Sequence, residues 1–364
     1  MKKIKILEVI GSMDMGGAET FLMNVLRNID RKKFELIFLC YGNKKFDYEE
    51  ELVSLGGKIV RISKPTGNIF KNIKQIKDII RNNNIDVVHC HTYFNSMYAL
   101  IAAKQCKIKK KITHSHSTVS EKKPNIIKKI YFFVAKIIIN LYSTDYLACG
   151  KEAGEALFFK NKKFQVIDNG IILEKFYYNK NLREEKRKEL KLPNDYQIIG
   201  HVGRFEEAKN HSFLIDLFDE YQKKNKKTLL LLIGDGSLRP VIEKKIKEKK
   251  LNNKVILLSK RSDVNELYNV MDLFLFPSLY EGLPVVLVEA QTNGLPIVAS
   301  DTIDKESDYT NTISFLSLQD DFDSWMKTIE KRIKKRTDNR KMMENSKYNI
   351  KNTVKQIEKI YLNI

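Results

Sequence analysis

The sequence contains few cysteines and no long uninterrupted run of hydrophobic residues, and both absences exclude classes of protein. Only four of the 364 residues are cysteines, and no two of them form a C-x-x-C pair. This usage favours reduced, buried thiols over a disulfide framework or a cysteine-ligated zinc site. No apolar stretch reaches the roughly 18 residues that a membrane-spanning helix needs. Because Met1–Ile4 runs directly into a predicted strand, we expect no signal peptide and a cytoplasmic protein, either free or peripheral on the inner face of the membrane.

Acidic residues are fewer than basic ones, and the imbalance is concentrated in one half of the chain. The sequence carries 65 Lys and Arg against 45 Asp and Glu, a net charge of +20, and residues 1–172 hold 30 of the basic and 16 of the acidic side chains. No zinc-finger spacing, basic region or aromatic–basic recognition motif accompanies this charge, so we predict no nucleic-acid partner. An anionic membrane surface or an anionic lipid-linked acceptor suits the basic first half better.

Strand-like and helix-like segments alternate through both halves of the chain, which predicts parallel sheets with crossover helices. The predicted strands are Ile4–Ile10, Glu35–Tyr41, Lys58–Ile62, Asp86–Cys90, Lys111–His114 and Tyr146–Cys149 in the first half, and Gln197–Val202, Thr228–Ile233, Lys254–Leu258, Asp272–Phe276 and Pro296–Ala299 in the second. The fold class is therefore α/β, with two Rossmann-like domains over 1–172 and 173–344. Apolar residues at helical spacing over 345–364 predict a terminal helix that packs on a domain.

Two glutamates eight residues apart, Glu281 and Glu289, occupy a segment that reads as strand, turn and helix. The strand is predicted to end at Phe276, and the helix to begin after Pro284 and stop at Gly294. A helix N-terminus presents unpaired N–H groups to an anion such as a diphosphate, and a neighbouring carboxylate can accept hydrogen bonds from sugar hydroxyls. The spacing alone is common on surface helices, so the surrounding residues decide its meaning.

With those surroundings, the segment resembles the retaining glycosyltransferases of family 4, whose mark is an E-x7-E motif. The resemblance also rests on Pro277-Ser278, Gly282-Leu283-Pro284 and Gly294-Leu295-Pro296, and it extends over nearly the whole chain. It implies the GT-B fold, in which two Rossmann-like domains with parallel sheets face each other across a cleft and the terminal helix crosses back onto the N-terminal domain. The loop Asp301–Glu306 is similar to that of exopolysaccharide and capsule transferases.

The activity that this resemblance implies is hexosyl or N-acetylhexosaminyl transfer (EC 2.4). The donor would be a nucleotide sugar, with UDP as the expected nucleotide, and the acceptor a saccharide or lipid-linked saccharide in surface polysaccharide synthesis. No metal and no other cofactor is expected, because two cations and a helix terminus take that role in the family. Two alternatives stay open: a nucleotide-sugar epimerase of the same architecture, and a basic nucleic-acid-binding protein.

Two cationic residues follow the first predicted strand of the second half. Gly203-Arg204 comes directly after that strand and Lys209 follows five residues later. A guanidinium and an ammonium at a strand end can neutralise a diphosphate leaving group. In the family resembled, the matching G-R-x(n)-K pair binds the donor diphosphate, which implies catalytic roles for Arg204 and Lys209 and donor contact for Gly203.

Further roles are carried over from the family, residue by residue. Glu281 with the amides of Gly282 and Leu283 would hold the transferred sugar, and Glu289 would accept hydrogen bonds from the ribose hydroxyls. The remaining donor-binding residues that the resemblance implies are Gly16, Gly17, Gly234, Gly236, Arg261 and Asp263. Neither a P-loop nor a G-x-G-x-x-G fingerprint is present around the first two glycines, so their assignment depends on the family alone.

The histidines lie near predicted strand ends, and two H-x-H doublets, His89 with His91 and His114 with His116, raise the possibility of a metal site. Alternate residues on a strand share a face, so each doublet could ligate together. In the sequence, no carboxylate or cysteine set completes such a site, and we predict no metal. The resemblance instead assigns His116, followed by Ser117-Thr118, to contact with the transferred sugar, with His114 as the fallback.

The segment 122–146 combines lysines with isoleucines and phenylalanines at helical spacing. As an interfacial helix it could hold the protein on anionic lipid. It could equally be a helix largely buried against the sheet, with lysines at its rim. Both interpretations stay open at this point.

Overall fold

The computed structural model describes residues 3–64, 68–117, 125–281 and 284–363. The chain divides into two compact units. The first unit comprises Met1–Ile171 and Ile350–Ile364, and the second unit comprises Ile172–Asn349. Each unit is built around one parallel sheet.

The first unit contains a seven-stranded sheet. Its strands are β1 (Ile4–Gly11), β2 (Phe34–Tyr41), β3 (Lys58–Ile62), β4 (Val87–Cys90), β5 (Lys110–Ser115), β6 (Asp145–Ala148) and β7 (Gln165–Val166). They are arranged in the order β3-β2-β1-β4-β5-β6-β7, and every neighbouring pair is parallel. The order changes direction between β1 and β4, and in open parallel sheets ligands bind beyond the carboxyl ends of the strands at such a point.

The second unit contains a six-stranded sheet of the same type. Its strands are β8 (Gln197–Val202), β9 (Thr228–Ile233), β10 (Val255–Leu258), β11 (Leu273–Phe276), β12 (Ile297–Ser300) and β13 (Ile313–Leu316). They are arranged in the order β10-β9-β8-β11-β12-β13, again with parallel neighbours. Here the change of direction lies between β8 and β11, the two strands that precede the predicted Arg204 and Glu281.

Helices connect the strands in both units. They are α1 (Gly17–Asn28), α2 (Glu49–Ser54), α3 (Ile69–Asn82), α4 (Ser96–Gln105), α5 (Ile126–Tyr142), α6 (Lys151–Leu157), α7 (Lys180–Glu189), α8 (His211–Lys224), α9 (Arg239–Glu248), α10 (Val264–Leu267), α11 (Val285–Thr292), α12 (Phe322–Arg332), α13 (Arg340–Glu344) and α14 (Ile350–Leu362). None of the described helices combines the length and the apolar content needed to cross a membrane.

Apolar strands and amphipathic helices account for this arrangement. All six residues of β9, the run TLLLLI, are buried, as expected for a parallel strand covered on both faces. In the second unit, separate apolar clusters lie on the two sides of the sheet. The predicted α/β class with two parallel-sheet domains is confirmed. Two short strands were not predicted. The strand β7 has only two residues, both exposed, and β13 is a run of four residues after polar turns, so neither shows a clear periodicity.

The helix α11 ends where its sequence predicts. Gly294 has a φ of +76°, and a Cβ built on it would lie 1.9 Å from the carbonyl oxygen of Thr337. The N–H of Leu295 donates to the oxygen of Ala290 at 3.0 Å, which closes the helix end. A residue with a side chain would be both strained and obstructed at this position, so glycine is required there.

The terminal helix α14 begins at Ile350, five residues later than the start of the predicted segment. Its apolar residues Ile350, Val354, Ile357 and Tyr361 are buried, and the helix contacts α1 in the first unit. This burial on one face follows from the helical spacing of the four residues.

Candidate functional site

In the second unit, the loops after β8 and β11 bring together an ammonium and a carboxylate. Lys209 Nζ lies 2.5 Å from Glu281 Oε1, and their side chains are only 16% and 13% exposed. The ammonium also lies 4.9 Å from the centre of the Phe276 ring, at the end of β11. The N–H of Leu279 donates to the oxygen of Ala208 at 2.8 Å, which ties the two loops together. The predicted cation and the first glutamate of the E-x7-E motif therefore form one ion pair.

Arg204 is on the surface of the same loop. Its side chain is 80% exposed, and its guanidinium lies 3.2 Å from Glu206. An ion pair this exposed contributes little to stability. The guanidinium can therefore leave Glu206 for a phosphate at small cost in free energy.

Glu289, on α11, is held by a tyrosine that sequence analysis missed. The hydroxyl of the fully buried Tyr268 donates to Glu289 Oε2 at 2.7 Å. Glu289 is half-buried as a residue, and its carboxyl group lies in a desolvated environment beside the Tyr268 hydroxyl. This desolvation raises the pKa of Glu289 to about 7, against the opposing effect of the tyrosine hydrogen bond. Near neutral pH the carboxyl group is therefore close to its titration point. Gly282 and Leu283, which precede this helix, lie outside the described residues.

The loop glycines of the second unit are explained by close backbone packing. A Cβ on Gly234, whose φ is +148°, would lie 2.0 Å from the oxygen of Gly203, and a Cβ on Gly236 would lie 2.5 Å from the oxygen of Phe205. The N–H of Phe205 donates to the oxygen of Asp235 at 2.9 Å. These contacts hold the loops after β8 and β9 together. Donor contact by the three glycines stays a prediction.

Arg261 and Asp263 bind each other. The guanidinium makes two bonds of 2.6 Å to the carboxylate, and Lys186 of α7 lies 3.2 Å from the same carboxylate. The hydrogen bond from Arg261 is the main reason that the pKa of Asp263 is lowered to about 2. Any ligand contact through these two side chains would have to replace existing ion pairs, and their donor-binding role stays a prediction.

A cavity of about 610 Å³ in the second unit lies away from all the predicted site residues. It is lined in part by Arg183, Asp272 and Arg336. Asp272 directly precedes β11. Arg183 pairs with Asp272 at 2.7 Å, and Arg336 donates to the oxygen of Met271 at 2.7 Å. These groups satisfy one another at the amino edge of the sheet, so we interpret this cavity as structural.

In the first unit, Gly16 and Gly17 form the start of α1. Gly16 is the N-terminal capping residue, and a Cβ on it would lie 2.3 Å from Oε2 of Glu19, whereas a Cβ on Gly17 would meet no described heavy atom within 4 Å. Burial raises the pKa of Glu19. The carboxyl group of Glu19 thus lies over the helix N-terminus, where an anionic ligand would otherwise bind.

His116 is the outer member of a buried network. Its Nε2 lies 2.8 Å from Nδ1 of His91, whose Nε2 lies 2.9 Å from Oε2 of Glu8. The ring of His114 stacks on that of His116 at 4.1 Å between centres. Burial lowers the pKa of His91 to about 3, lowers the pKa of the other two histidines as well, and raises that of Glu8 to about 8.

The network continues to the terminal helix. The hydroxyl of Tyr361 donates to Oε1 of Glu8 at 2.7 Å and lies 2.8 Å from Nδ1 of His89. Sequence analysis found no carboxylate or cysteine set that completes a metal site with the H-x-H doublets, but in the structure Glu8 lies beside both histidines of the first doublet. The available signal was a glutamate in the middle of the apolar run of β1, where charged residues are rare unless they are paired.

The helix α5 buries little of its surface. Its buried residues are Ala135, Ile139 and Asn140. Five large apolar side chains are 59–73% exposed, namely Ile126, Ile127, Ile130, Phe133 and Leu141. The interpretation as a helix largely buried against the sheet is therefore wrong, because its apolar residues extend around a wider arc than the sheet covers. Lys128 and Lys129 are exposed on the same helix.

Two protein-family models match this chain, and together they cover most of it. The model described as Glycosyltransferase Family 4 matches residues 15–175, and the model described as Glycosyl transferases group 1 matches residues 182–351. The first match contains the four histidines of the buried network, and the second contains the Lys209–Glu281 pair.

Two relatives are similar over nearly the full length. The chain is 35% identical over 332 residues to the putative glycosyltransferase EpsF of Bacillus subtilis strain 168, covering 89% of this chain and 86% of EpsF. It is 28% identical over 370 aligned residues to the capsular polysaccharide biosynthesis glycosyltransferase CapH of Staphylococcus aureus, covering 99% of each.

A solved structure has the same fold. HepE of Anabaena, crystallised in complex with UDP and glucose, matches with a TM-score of 0.81 at 17% sequence identity, over 99% of this chain and 100% of that one. At this identity the similarity concerns the fold alone, and it confirms the predicted GT-B fold class.

Proposed function

The chain belongs to glycosyltransferase family 4, and from this membership we propose that it is a retaining enzyme that transfers a sugar from a UDP donor to a saccharide or lipid-linked saccharide in surface polysaccharide synthesis. The observation that carries the proposal is the Lys209–Glu281 ion pair at the carboxyl ends of β8 and β11. The complex of HepE with UDP and the capsular role named for CapH support the choice of donor and pathway.

The ion pair supplies both groups that a sugar diphosphate requires. Lys209 would neutralise the diphosphate together with the exposed Arg204, and Glu281 would accept hydrogen bonds from hydroxyls of the sugar. In the free enzyme Glu281 balances the charge of Lys209, so the ammonium is kept in place without a ligand. Donor binding would exchange this contact for one with phosphate.

Glu289 would bind the ribose. A carboxylate can accept hydrogen bonds from both ribose hydroxyls, and Tyr268 fixes the orientation of this one. Because the pKa of Glu289 is raised to about 7, the ionised fraction that accepts these bonds grows across neutral pH. His116 would orient the transferred sugar through its Nδ1, because its Nε2 already contacts His91.

The proposed transfer is a displacement on one face of the sugar. The bond from the anomeric carbon to the leaving phosphate oxygen breaks, the bond to the acceptor oxygen forms on the same face, and the acceptor proton moves to the leaving phosphate. The positive charge of Arg204 and Lys209 would stabilise the negative charge that develops on the diphosphate. We expect no metal ion to be needed for this step.

The test is a panel of UDP-sugars incubated with the full-length protein, with and without saccharide and lipid-linked acceptors. We expect UDP release that depends on the acceptor, a product with the anomeric configuration of the donor by NMR, and unchanged rates in EDTA. Conversion of the donor sugar without an acceptor would instead identify the epimerase alternative. A product of inverted configuration would contradict the retaining mechanism.

We also propose that α5 holds the enzyme on an anionic membrane surface. Its exposed isoleucines and Phe133 could enter the lipid interface, while Lys128 and Lys129 could contact lipid phosphates. The basic excess of residues 1–172 supports this choice of surface. Such an attachment would place the enzyme where a lipid-linked acceptor is found.

A further inference from the structure

Three histidines of the first unit converge inside the protein, near the carboxyl ends of β4 and β5. One ring nitrogen from each of His89, His91 and His114 lies within 4.8 Å of those of the other two. Each of the three residues is at least nine-tenths buried. Three buried imidazoles this close together either lack hydrogen-bond partners, because water is excluded, or bind a cation.

Several nitrogens of this cluster have no hydrogen-bond partner among the described residues. They are Nε2 of His89, both ring nitrogens of His114, and Nδ1 of His116. Buried polar atoms are nearly always bonded, and each one left alone costs free energy. In a neutral imidazole one nitrogen carries a proton and the other a lone pair, so each of these three rings can offer one lone pair to a ligand that accepts it.

The hydrogen bonds around the cluster determine which nitrogens carry those lone pairs. Glu8 Oε1 accepts from Tyr361 O–H at 2.7 Å, and Glu8 Oε2 lies 2.9 Å from His91 Nε2. The Tyr361 oxygen then accepts from His89 Nδ1–H at 2.8 Å. The lone pair of His89 accordingly lies on Nε2, the nitrogen without a described partner, and His91 offers the lone pair of Nδ1 when its Nε2–H donates to Glu8. A carboxylate that orients histidines in this way is the usual outer support of a metal centre.

We propose that His89, His91 and His114 bind one divalent first-row transition-metal ion, with zinc the expected ion. Neutral imidazoles suit zinc better than magnesium or calcium, which prefer oxygen ligands. Tetrahedral bonds of about 2.1 Å place zinc ligands about 3.4 Å apart, so small ring rotations from the observed separation suffice. The ion would replace the hydrogen bond between His91 and His116, and His116 is the candidate for the fourth position.

Such an ion would lie in the first unit and be structural, and it would affect the proposed transfer only through the ring position of His116. It would connect β4 and β5 with the terminal helix, through Glu8 and Tyr361. It would also fix the ring of His116. The sequence analysis set a metal aside because no carboxylate was apparent, and Glu8 removes that objection.

The experiment is a cobalt titration of the full-length protein without a histidine tag and without any nucleotide sugar. We expect about one cobalt ion per chain with visible absorption bands of four- or five-coordinate cobalt, and displacement of cobalt by zinc. His89→Gln and His114→Gln should each weaken cobalt binding by about tenfold or more. The matched control is His211→Gln, because His211 is a buried histidine of the second unit whose ring nitrogens also have no described partner.

Absence of cobalt bands in the wild-type protein, with zinc content equal to that of the buffer, would overturn the proposal. Undiminished binding in both cluster variants would overturn it as well, since the ion would then lie elsewhere. If the variants do not fold, as judged by circular dichroism, X-ray absorption at the zinc edge of the wild-type protein decides. Three or four imidazole ligands would support the site, and fewer than three would overturn it. None of these outcomes depends on glycosyl transfer.

Discussion

The strand ends of the two units carry different kinds of polar group, although both units are built on parallel sheets. In the second unit the groups are charged and lie in loops, as in the largely buried Lys209–Glu281 pair and the exposed Arg204. In the first unit they are buried and lie within a strand or directly after one, as in the contact of Glu8 in β1 with His91 after β4. The difference separates groups that can exchange partners with an anion from groups that are held in one arrangement.

The physical reason is the cost of charge in each place. The exposed guanidinium of Arg204 can exchange its contact with Glu206 for one with an anionic ligand at little cost in free energy. A buried ionisable group tends instead to become neutral, and burial moves the pKa of Glu8 up to about 8 and that of His91 down to about 3. We therefore expect substitutions in the second unit to affect catalysis first, and substitutions in the first unit to affect stability first.

The largest expected effect tests the catalytic side of this comparison. Lys209→Ala should lower kcat/KM, with a loss of about 3 kcal/mol or more of transition-state stabilisation, because a positioned charge opposite the leaving diphosphate is removed. The measurement is UDP release with the best donor and acceptor. Lys223→Ala removes an exposed lysine of the same unit and should leave the rate unchanged. Near wild-type kcat/KM in Lys209→Ala would break the comparison.

Tyr361→Phe tests the stability side. It should lower the free energy of unfolding by about 2 to 3 kcal/mol, because Glu8 Oε1 and His89 Nδ1 each lose a buried partner. Urea denaturation measures the change. Tyr221→Phe is the matched control, since its buried ring carries a hydroxyl with only a long contact of 3.4 Å to Gln197. An equal loss in both variants would show that the network adds nothing specific.

Glu289 belongs to the second unit but has a buried, shifted carboxyl group, so it sharpens the comparison. Glu289→Ala should weaken UDP binding by about 1 to 3 kcal/mol in calorimetry. Wild-type affinity should rise as pH increases through about 7, where the carboxyl group ionises. In Glu289→Gln this rise should disappear. Unchanged nucleotide affinity in the alanine variant would remove Glu289 from the ribose site.

The same raised pKa has a consequence for stability. Since the folded pKa of Glu289 exceeds the value of about 4.3 for an unfolded glutamate, the folded state binds more protons between these two pH values. Its contribution to stability is full below about 4.3 and is lost as the pH rises through about 7. A flatter pH profile of unfolding in Glu289→Gln is the expected observation.

The smallest effect per residue concerns the surface of the first unit. Phe133→Asp should weaken binding to anionic vesicles by about 1 kcal/mol or more, because a ring that would enter the lipid interface is replaced by a charge. Vesicle flotation at low salt measures the bound fraction. Val241→Asp, on an exposed apolar residue of α9, should have no effect. A wild-type protein that does not float would exclude this surface as a membrane contact.

Much of the fold could be predicted because its signals are local. The alternation of apolar strands with amphipathic helices predicts parallel sheets, and Gly294 marks the end of α11 in the structure as it does in the sequence. The strand β13 was missed because a run of four residues has no distinctive period. The predicted and observed starts of a helix differ where several neighbouring residues are compatible with a helix. An example is α14, which begins at Ile350.

The candidate site could be predicted only in part. Lys209 and Glu281 were identified from motifs at strand ends, and the structure joins them. Tyr268, the partner of Glu289, was missed because a tyrosine in an apolar stretch is usually a core residue. The role of the glycines was also predicted only in part, because the close backbone approach at Gly234 depends on a loop from another strand.

The sequence by itself determined the type of most elements, the family, and the chemical groups available at the strand ends, because these follow from residues near one another in the chain. Only the tertiary structure decided which of those groups meet. Glu8 and Tyr361 are 353 residues apart, and their contact depends on the position of β1 in the sheet and on the packing of α14. Such contacts depend on the joint burial of many apolar residues that are distant in the chain, and no local sequence pattern predicts that burial.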